Sequence, residues 1–381
     1  MHVYLDAQPL LGARSGVSNY VRNLYENLLD LHLDVDLFFN RIAKNIHVNE
    51  LPLKVHQEKI SLTNSRYPYK VIRRLMKPNF LYEYPFDFYN QTFETIFHGT
   101  NFTHTPIKGN KTVITIHDLA YMIYPETTSE KIYKHHTKWV PYSAERATKI
   151  IAVSQHTKKD IMRLLGISED KIEVIHLAAD PCYKPLDKEF VQAAVNKYNL
   201  PENYILFVGT LEPRKNLMGL LKAFQYLLQN YECDHHLVIV GAKGWKYTPL
   251  FDFLQSNRLE SKVIFTGFIE DEDLAAIYNG AKIFVMPSIY EGFGIPIIEA
   301  MNCGVPVIAS NVSSIPEIVD KHGILLPPDE HELWATEIYG LLNNESKHAY
   351  YKQLSMERAS HFSWRKTALE TKLVYDKILN M

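Results

Sequence analysis

The feature that most constrains this sequence is the alternation of short apolar, β-branched runs with amphipathic stretches of helical spacing along nearly the whole chain. Continuous apolar strands separated by helices are typical of parallel sheets that helices cover on both faces. Two such series follow one another. The sequence therefore predicts an α/β protein with two Rossmann-like, doubly wound domains, and a length of 381 residues agrees with two cores rather than one.

The predicted strands are His2–Ala7, Val35–Asn40, Thr95–Thr100, Val113–Asp118, Ile150–Ser154 and Ile172–Leu177 in the first series, and Tyr204–Gly209, His236–Gly241, Val263–Phe268, Ile283–Ser288, Val305–Ala309 and Ile324–Leu326 in the second. A proline-rich turn, Asp180–Pro185, predicts a boundary between domains 1–183 and 184–363. The amphipathic stretch Trp364–Leu379 either closes the second domain or crosses back to the first, with which we group it.

Composition excludes several classes of protein. The formal net charge of −2 carries no global nucleic-acid signature, and three widely spaced cysteines favour neither a disulfide framework nor a zinc site. The first residues enter a strand-like run without a basic or apolar leader, and no apolar run is long enough to span a bilayer. We therefore expect a cytoplasmic protein, with membrane contact restricted to its surface.

The most informative segment, Tyr290–Glu299, follows the predicted strand Ile283–Ser288. Its glycines allow a ligand to approach the backbone, and the helix start that follows presents N–H groups and partial positive charge to an anion. Glu291 and Glu299 flank this turn, and carboxylates accept hydrogen bonds from the vicinal diols of a sugar or a ribose. The segment indicates a nucleotide-sugar site; the alternative is two surface glutamates beside a structural turn.

A second loop supports the same site. Arg214 and Lys215 follow the predicted strand Tyr204–Gly209, and a helix begins near Asn216. An arginine binds a diphosphate bidentately and a lysine acts as a point charge. Both loops leave the carboxyl edge of one sheet, where open α/β sheets bind ligands, so we expect them to meet. A solvated basic loop is the alternative interpretation.

On these motifs, together with Gly304-Val305-Pro306-Val307-Ile308, the whole chain resembles glycosyltransferase family 4, whose members are retaining enzymes with the GT-B fold. The resemblance implies two domains facing across a cleft, with domain 1–183 on the acceptor side and domain 184–363 binding the nucleotide sugar. It implies that Arg214 and Lys215 neutralise the donor diphosphate and that Glu291 contacts the donor sugar. It also implies that Glu299 binds the ribose and that Gly292, Phe293 and Gly294 contact sugar and phosphate. Thr210 stands where many members carry an arginine, so Arg214 is expected to supply that charge.

In the first half, the resemblance assigns a glycine loop near the diphosphate to Leu10–Tyr20, of which we retain Gly16 as a donor-binding residue. It also assigns His117 to the donor sugar near its leaving group. Taken alone, a histidine at a strand end is more often structural than functional, so the donor role of His117 rests on the resemblance. Asp118 is expected to orient the His117 ring or to cap the next turn, and His98 is a weaker candidate.

The stretch Arg66–Lys77 is basic and interleaved with aromatic and apolar residues. It is compatible with contact to an anionic membrane surface or with an ordinary solvated helix face that also makes core contacts. We favour the second interpretation.

Together these observations predict a retaining glycosyltransferase that transfers a hexose, with mannose and GDP-mannose favoured, to a glycan or lipid-linked acceptor in cell-surface polysaccharide synthesis. No D-x-D or His/Asp cluster suggests a bound cation, so no metal or other cofactor is expected. Two alternatives remain open. One is an epimerase or phosphorylase of the same fold, and the other is a non-catalytic nucleotide-sugar-binding protein.

Overall fold

The structure, a computed structural model, describes residues 1–12, 15–40, 51–55, 58, 60–65, 67–85, 94–107 and 111–381. It divides into two compact units, residues 1–177 with 363–381 and residues 178–362. The sequence placed the first boundary after residue 183. The division falls earlier because the proline-rich turn packs with the second unit, where the Tyr183 hydroxyl lies 3.3 Å from Oδ1 of Asp271.

The first unit contains a seven-stranded parallel sheet of order β3-β2-β1-β4-β5-β6-β7. Its strands are β1 His2–Asp6, β2 Asp34–Phe39, β3 Ser61–Asn64, β4 Thr95–Gly99, β5 Lys111–Ile116, β6 Lys149–Ala152 and β7 Ile172–Val174. Six were predicted, with ends displaced by a few residues. The sequence missed β3 because this edge strand is polar and carries no apolar run.

The α-helices of this unit are α1 Gly16–Asp30, α2 Tyr69–Leu75, α3 Pro78–Glu83, α4 Ala120–Ile123, α5 Glu130–Arg146, α6 Gln155–Leu165 and, from the end of the chain, α15 Trp364–Leu379. Helix α15 packs on α1, so it crosses back rather than closing the second unit. Buried His98 links α15 to the sheet: its Nδ1 lies 2.6 Å from the Tyr375 hydroxyl on α15, and its Nε2 lies 2.8 Å from the Thr115 hydroxyl on β5. Both ring nitrogens are engaged, which gives His98 a structural role.

The second unit contains a six-stranded parallel sheet of order β10-β9-β8-β11-β12-β13. Its strands are β8 Tyr204–Val208, β9 His236–Val240, β10 Val263–Gly267, β11 Ile283–Met286, β12 Val307–Ser310 and β13 Ile324–Leu326. The helices are α7 Lys188–Lys197, α8 Leu217–Asn230, α9 Thr248–Ser256, α10 Asp271–Gly280, α11 Ile295–Asn302, α12 Ile315–Val319, α13 His331–Leu342 and α14 Glu345–Ala359. The prediction of two Rossmann-like α/β domains is confirmed.

Each sheet reverses its strand order at one point. In the first unit the chain builds outward from β1 to β3 and then restarts on the other side of β1 with β4. In the second unit the same reversal separates β8 from β11. Connections leave such neighbouring strands in opposite directions and open a crevice at their carboxyl ends, where α/β proteins bind ligands. The fold therefore offers one ligand position per unit. Among the described helices, none has the length and apolar composition needed to cross a bilayer.

Candidate active site

The loop after β8 carries the two predicted cations. Pro213–Lys215 form a 3-10 turn, and Asn216 ends it in the left-handed region with φ of 53°. The Asn216 side-chain amide donates to the carbonyl oxygens of Pro287, at 3.1 Å, and Pro328, at 2.9 Å. These bonds tie the loop to the segments that follow β11 and β13. The loop after β8 is thereby held against the loop after β11, although the two are far apart in the sequence.

Glu291 lies at the centre of this arrangement and is 6% exposed. Its Oε1 accepts from Nζ of Lys215 at 2.7 Å, and its Oε2 accepts from Nη1 of Arg214 at 2.9 Å. Nη1 also donates to the carbonyl of Tyr290 at 2.8 Å, and Nη2 pairs with Oε1 of Glu212 at 2.7 Å. The structure thus brings together Arg214, Lys215 and Glu291 as the sequence predicted.

The electrostatics of the cluster follow from its geometry. Burial raises the pKa of Glu291, but the combined charges of Arg214 and Lys215 outweigh burial and lower it to about 2. Glu291 is therefore ionised across the physiological range. It holds both cations at the carboxyl edge of the sheet, close to the start of α11, and thus keeps them in place for a larger anion.

The glycine turn has a specific backbone requirement. Gly294 caps α11 with φ of 98°, a conformation that residues with a Cβ rarely adopt. Pro296 lies in the first turn of the helix, and Gly304 follows its end with φ of 71°, both as expected. Phe293 is buried and contacts Phe362 edge-on at 5.9 Å, so its backbone rather than its ring is the part suited to a ligand.

Glu299 lies on α11 and is 7% exposed. Its Oε2 accepts from the Tyr278 hydroxyl at 2.9 Å. Burial raises its pKa to about 8, and the nearby carboxylates of Asp271 and Asp180 act in the same direction against the Tyr278 hydrogen bond. The two glutamates of one motif thus differ in charge state, because only Glu291 has cationic partners.

The first unit contains the other two predicted residues. Nε2 of His117 lies 2.9 Å from the Thr100 carbonyl, which can only accept, so Nε2 carries the proton. Burial lowers the pKa of His117, which leaves the ring neutral and Nδ1 an acceptor suited to a sugar hydroxyl. Of the two roles expected for Asp118, capping is observed, since its Oδ1 accepts from the backbone N–H of Ala120 at 3.0 Å.

Gly16 is the first residue of α1, behind an N-cap at Ser15 that forms a capping box with Ser18. Gly16 is exposed at the start of a helix, as expected for a loop that joins the first strand to a helix. Ala13 and Arg14 of that loop, and Arg66 of the basic stretch, lie outside the described residues.

Sequence reasoning missed the residues that hold this site in position. Glu212 is 8% exposed and shares Arg214 with Glu291. Ser313 accepts from the N–H of Glu291 at 2.9 Å, and Ser314 donates to the Glu291 carbonyl at 2.9 Å. The available signal was a Ser-Ser pair just before the helix start Ile315-Pro316, one strand along from the glutamate motif.

Among the described residues, one group of side chains is close enough to share a cation: His2, Asp34 and Asp36. These residues lie in the amino-terminal halves of β1 and β2, away from the carboxyl edge at which sheets of this kind bind ligands. Exposed acidic groups of this type are common without an ion, and the expectation that no metal is required stays a prediction.

Comparison with known proteins gives the chain a family. Residues 14–182 match the family described as Glycosyltransferase Family 4, and residues 189–357 match the family described as Glycosyl transferases group 1. Over 277 residues, 72% of each chain, the sequence is 34% identical to O-antigen chain mannosyltransferase B of Escherichia coli. The chain belongs to glycosyltransferase family 4.

Two further relatives of this glycosyltransferase carry similar names. The serotype-specific mannosyltransferase WbdA of E. coli is 32% identical over 59% of this chain and 28% of its own length. O-antigen chain mannosyltransferase RfbU of Salmonella typhimurium is 30% identical over 61% of each chain. These matches differ widely in the share of the relative that they cover.

Solved structures agree on the fold of this glycosyltransferase. Sucrose-phosphate synthase from Thermosynechococcus elongatus superposes with a TM-score of 0.76 at 22% identity, over 99% of this chain and 98% of the other. Anabaena HepE in complex with UDP and glucose has a TM-score of 0.72 at 17% identity, over 98% and 99%. At such identities the likeness concerns the architecture, and it confirms the GT-B fold.

Proposed function

We propose that this glycosyltransferase transfers mannose from GDP-mannose, with retention of anomeric configuration, to a glycan or lipid-linked saccharide acceptor in cell-surface polysaccharide synthesis. The observation that carries the proposal is the Arg214–Lys215–Glu291 cluster, which lies at the carboxyl edge of the second sheet where its strand order reverses. Mannose is favoured because the relatives at 30–34% identity are named as mannosyltransferases.

In this proposal the donor diphosphate binds Arg214 and Lys215, both of which already lie within 3 Å of a carboxylate oxygen. The leaving diphosphate gains negative charge as the anomeric bond breaks. Two cations fixed before the reaction stabilise that charge without reorganisation, which is where preorganised electrostatics accelerate a reaction most. Glu291 holds the cations in the free enzyme and contacts the donor sugar when the donor is bound.

The remaining donor contacts are proposed from the family resemblance and from local geometry. The Glu299 carboxylate accepts from the ribose hydroxyls, and the backbone at Gly292 to Gly294 contacts sugar and phosphate. His117 presents an acceptor nitrogen and Gly16 an exposed backbone, and their donor contacts remain predictions. Displacement on one face of the sugar, with a diphosphate oxygen as base, requires no protein nucleophile and no metal.

We also propose peripheral contact with an anionic membrane through α2 and the residue after it. Val71 and Leu75 are 53% and 79% exposed, and Arg74 and Lys77 are exposed beside them. Apolar side chains flanked by cations suit the surface of an anionic bilayer. Leu75→Glu should reduce co-sedimentation with vesicles of anionic phospholipid, whereas Leu373→Glu, at a residue 59% exposed on α15, should not. Equal loss in both variants would contradict this contact.

The test of the donor site is a thermal-shift titration with GDP, UDP, GDP-mannose, UDP-glucose and UDP-N-acetylglucosamine. A ligand that binds only the folded state raises its stability, so one nucleotide series should raise the unfolding temperature. That shift should shrink in Lys215→Ala and Glu299→Ala. Stabilisation by the uridine series instead of the guanosine series would make the donor a UDP-sugar, and the proposed position of the donor site would stand. No shift at millimolar nucleotide would remove the main support for the site.

Turnover separates an enzyme from a binding protein. Release of GDP from GDP-mannose should accelerate when a saccharide acceptor is added, because transfer then competes with slow hydrolysis. Tight donor binding without turnover across many acceptors would favour the non-catalytic alternative, and transfer to water or inorganic phosphate alone would favour an epimerase or phosphorylase.

A further inference from the structure

The His117 ring is held by three contacts within the first unit. Its Nε2 donates to the Thr100 carbonyl at 2.9 Å. The rings of Tyr20 and Phe102 contact it edge-on, with centroids 5.1 Å and 5.6 Å away and interplanar angles of 82° and 63°. A single hydrogen bond fixes one edge of an imidazole but not its tilt, so the two aromatic rings determine the direction in which Nδ1 points.

Phe102 has a backbone conformation that is rare for its residue type. Its φ is 60°, in the left-handed region, where a bulky side chain is strained. Its backbone N–H donates to the Thr115 carbonyl at 2.9 Å, and its side chain is buried. Such strain persists only where the surrounding structure enforces it, which indicates that the contact between Phe102 and His117 is imposed by the fold.

A chain of three hydrogen bonds runs from Tyr20 to the C-terminal helix. The Tyr20 hydroxyl lies 2.8 Å from the Thr115 hydroxyl, which lies 2.8 Å from Nε2 of His98. Nδ1 of His98 lies 2.6 Å from the Tyr375 hydroxyl on α15. The chain therefore connects α1, β5, β4 and α15 through their side chains.

The four residues of this chain are buried, and none is more than 1% exposed. Burial lowers the pKa of His98 to about 3, and the charge of His117 acts in the same direction, so the His98 ring is neutral at physiological pH. A neutral imidazole has one donor and one acceptor nitrogen, and hydroxyl partners can take either role. Both ring nitrogens are thus satisfied, and a satisfied buried network rigidifies the groups that it joins.

We propose that Tyr20 is a positioning residue of this glycosyltransferase, which holds the His117 ring in the orientation that presents Nδ1 as an acceptor. The hydrogen-bond chain that ends at Tyr375 of α15 fixes Tyr20 in turn. The proposal rests on the proposed function, which assigns His117 to the donor sugar. Because the Tyr20 side chain is buried and its hydroxyl is engaged by Thr115, Tyr20 acts through His117 rather than on a ligand.

The first test removes one hydroxyl at each end of the chain. Tyr20→Phe and Tyr375→Phe should each lower kcat for release of the nucleoside diphosphate by about tenfold, as expected for the loss of one buried hydrogen bond. The Kd of free nucleoside diphosphate should not change. Tyr204→Phe is the matched control, because its fully buried hydroxyl donates to the Ile277 carbonyl at 2.6 Å in the second unit, and it should keep kcat. Unfolding temperatures verify that all three variants fold.

A double-mutant cycle separates positioning from general destabilisation. Tyr20→Phe should cost about tenfold in kcat in the parent protein and nothing in the His117→Ala background, because coupled residues are not additive. An equal loss in both backgrounds, or full kcat in Tyr20→Phe and Tyr375→Phe, would overturn the proposal. Full activity of His117→Ala would overturn both the proposal and the donor role of His117.

Nuclear magnetic resonance of protein with isotope-labelled histidine tests the same geometry without turnover. The Nε2–H resonance of His117 is assigned by its loss in His117→Ala. It should shift in Tyr20→Phe and in Tyr375→Phe, and it should stay in place in Tyr204→Phe. A resonance that either of the first two variants leaves in place would overturn the proposal. Both shifts without turnover of any donor would count against the proposed function alone.

Discussion

The two switch points each present a carboxylate in opposite electrostatic surroundings. Glu291 has two cations within 3 Å, and their charges lower its pKa to about 2. Asp6 has no cation at bonding distance among the described residues, and burial raises its pKa to about 6 although its bond to Gln8 and the charge of Arg73 oppose this. Equivalent positions in two similar sheets thus carry sites of different chemistry.

The comparison shows that two sheets of the same architecture can carry differently charged side chains at their switch points. The second unit places two cations, Arg214 and Lys215, beside two carboxylates, Glu212 and Glu291, so a diphosphate whose charge grows during reaction would compete with those carboxylates for the cations. The first unit places one buried carboxylate, Asp6, near the charge of Arg73 and beside neutral donors and acceptors. The comparison predicts that substitutions at one switch point affect one ligand and leave the other.

The largest effect is expected for Lys215→Ala. Loss of one fixed donor to developing charge costs roughly 10²–10³ in rate, so kcat/KM for GDP release from GDP-mannose should fall about 100-fold. Lys222→Ala, at an exposed lysine of α8, is the matched control and should retain full activity. Glu291→Ala should lower the turnover rate by more than tenfold. Near-normal rates in both Lys215→Ala and Glu291→Ala would remove the catalytic assignment.

The two carboxylates should also give stability profiles of opposite slope. Between pH 3.8 and about 6 the folded protein keeps a proton on Asp6 that the unfolded chain has released, so stability falls as pH rises. Between about pH 2 and 4.5 the unfolded chain holds the proton that Glu291 has released, so stability falls as pH falls. Each slope approaches about 1.4 kcal/mol per pH unit.

Unfolding temperatures measured against pH check this. The unfolding temperature of Asp6→Asn should rise relative to that of the parent protein as pH rises from about 4 to about 6, because Asn carries no charge to bury. Glu291→Gln should be less stable than the parent above pH 4.5, and that deficit should shrink as pH falls. Parallel curves for Asp6→Asn and the parent protein would show that the Asp6 site is not electrostatically distinct.

Glu299 provides a smaller effect, on donor affinity. Its pKa of about 8 leaves it protonated in the free protein at neutral pH, whereas ribose hydroxyls prefer to donate to a carboxylate. Affinity for GDP-mannose should therefore rise with pH by up to tenfold per unit and level off near pH 8. The ionisable groups that surround it are Tyr278, Tyr183, Asp271, Asp180 and Cys303. Calorimetric titrations with Glu299→Gln should show a flat profile; an unchanged pH dependence would point to another group.

Much of the second unit was readable from the sequence. The donor loops could be predicted because each combines a strand end, a turn and charged residues within a few positions, as Arg214-Lys215 and Glu291-Gly292 do. The sheet then only had to bring the two motifs together. Pairing of Arg214 and Lys215 with the same carboxylate was not readable, since it depends on the Asn216 bonds that fix the loop.

A polar cavity of about 230 Å³ at the carboxyl ends of β1, β2 and β4 could not be predicted from the sequence, for a related reason. Its residues come from β1 and the turn after it, from the loops after β2 and β4, and from α2 and α5, so no single local motif marks them. Arg73 looked like one cation of a basic stretch, and His135 like a surface residue. Only the packing of α2 against α5, which places the Arg73 guanidinium over Trp139, distinguishes Arg73 from its exposed neighbour Arg74.

The smallest effect is expected for Ser314→Ala, which tests how the donor cluster is held. The fully buried hydroxyl donates to the carbonyls of Glu291, at 2.9 Å, and Phe293, at 3.2 Å. Its removal should lower stability by about 1–2 kcal/mol and reduce kcat severalfold at nearly constant KM. Ser355→Ala is the matched control, because this equally buried hydroxyl donates to the Val305 carbonyl at 2.9 Å. It should lose the same stability and keep kcat; equal loss of kcat in both variants would reduce Ser314 to a structural residue.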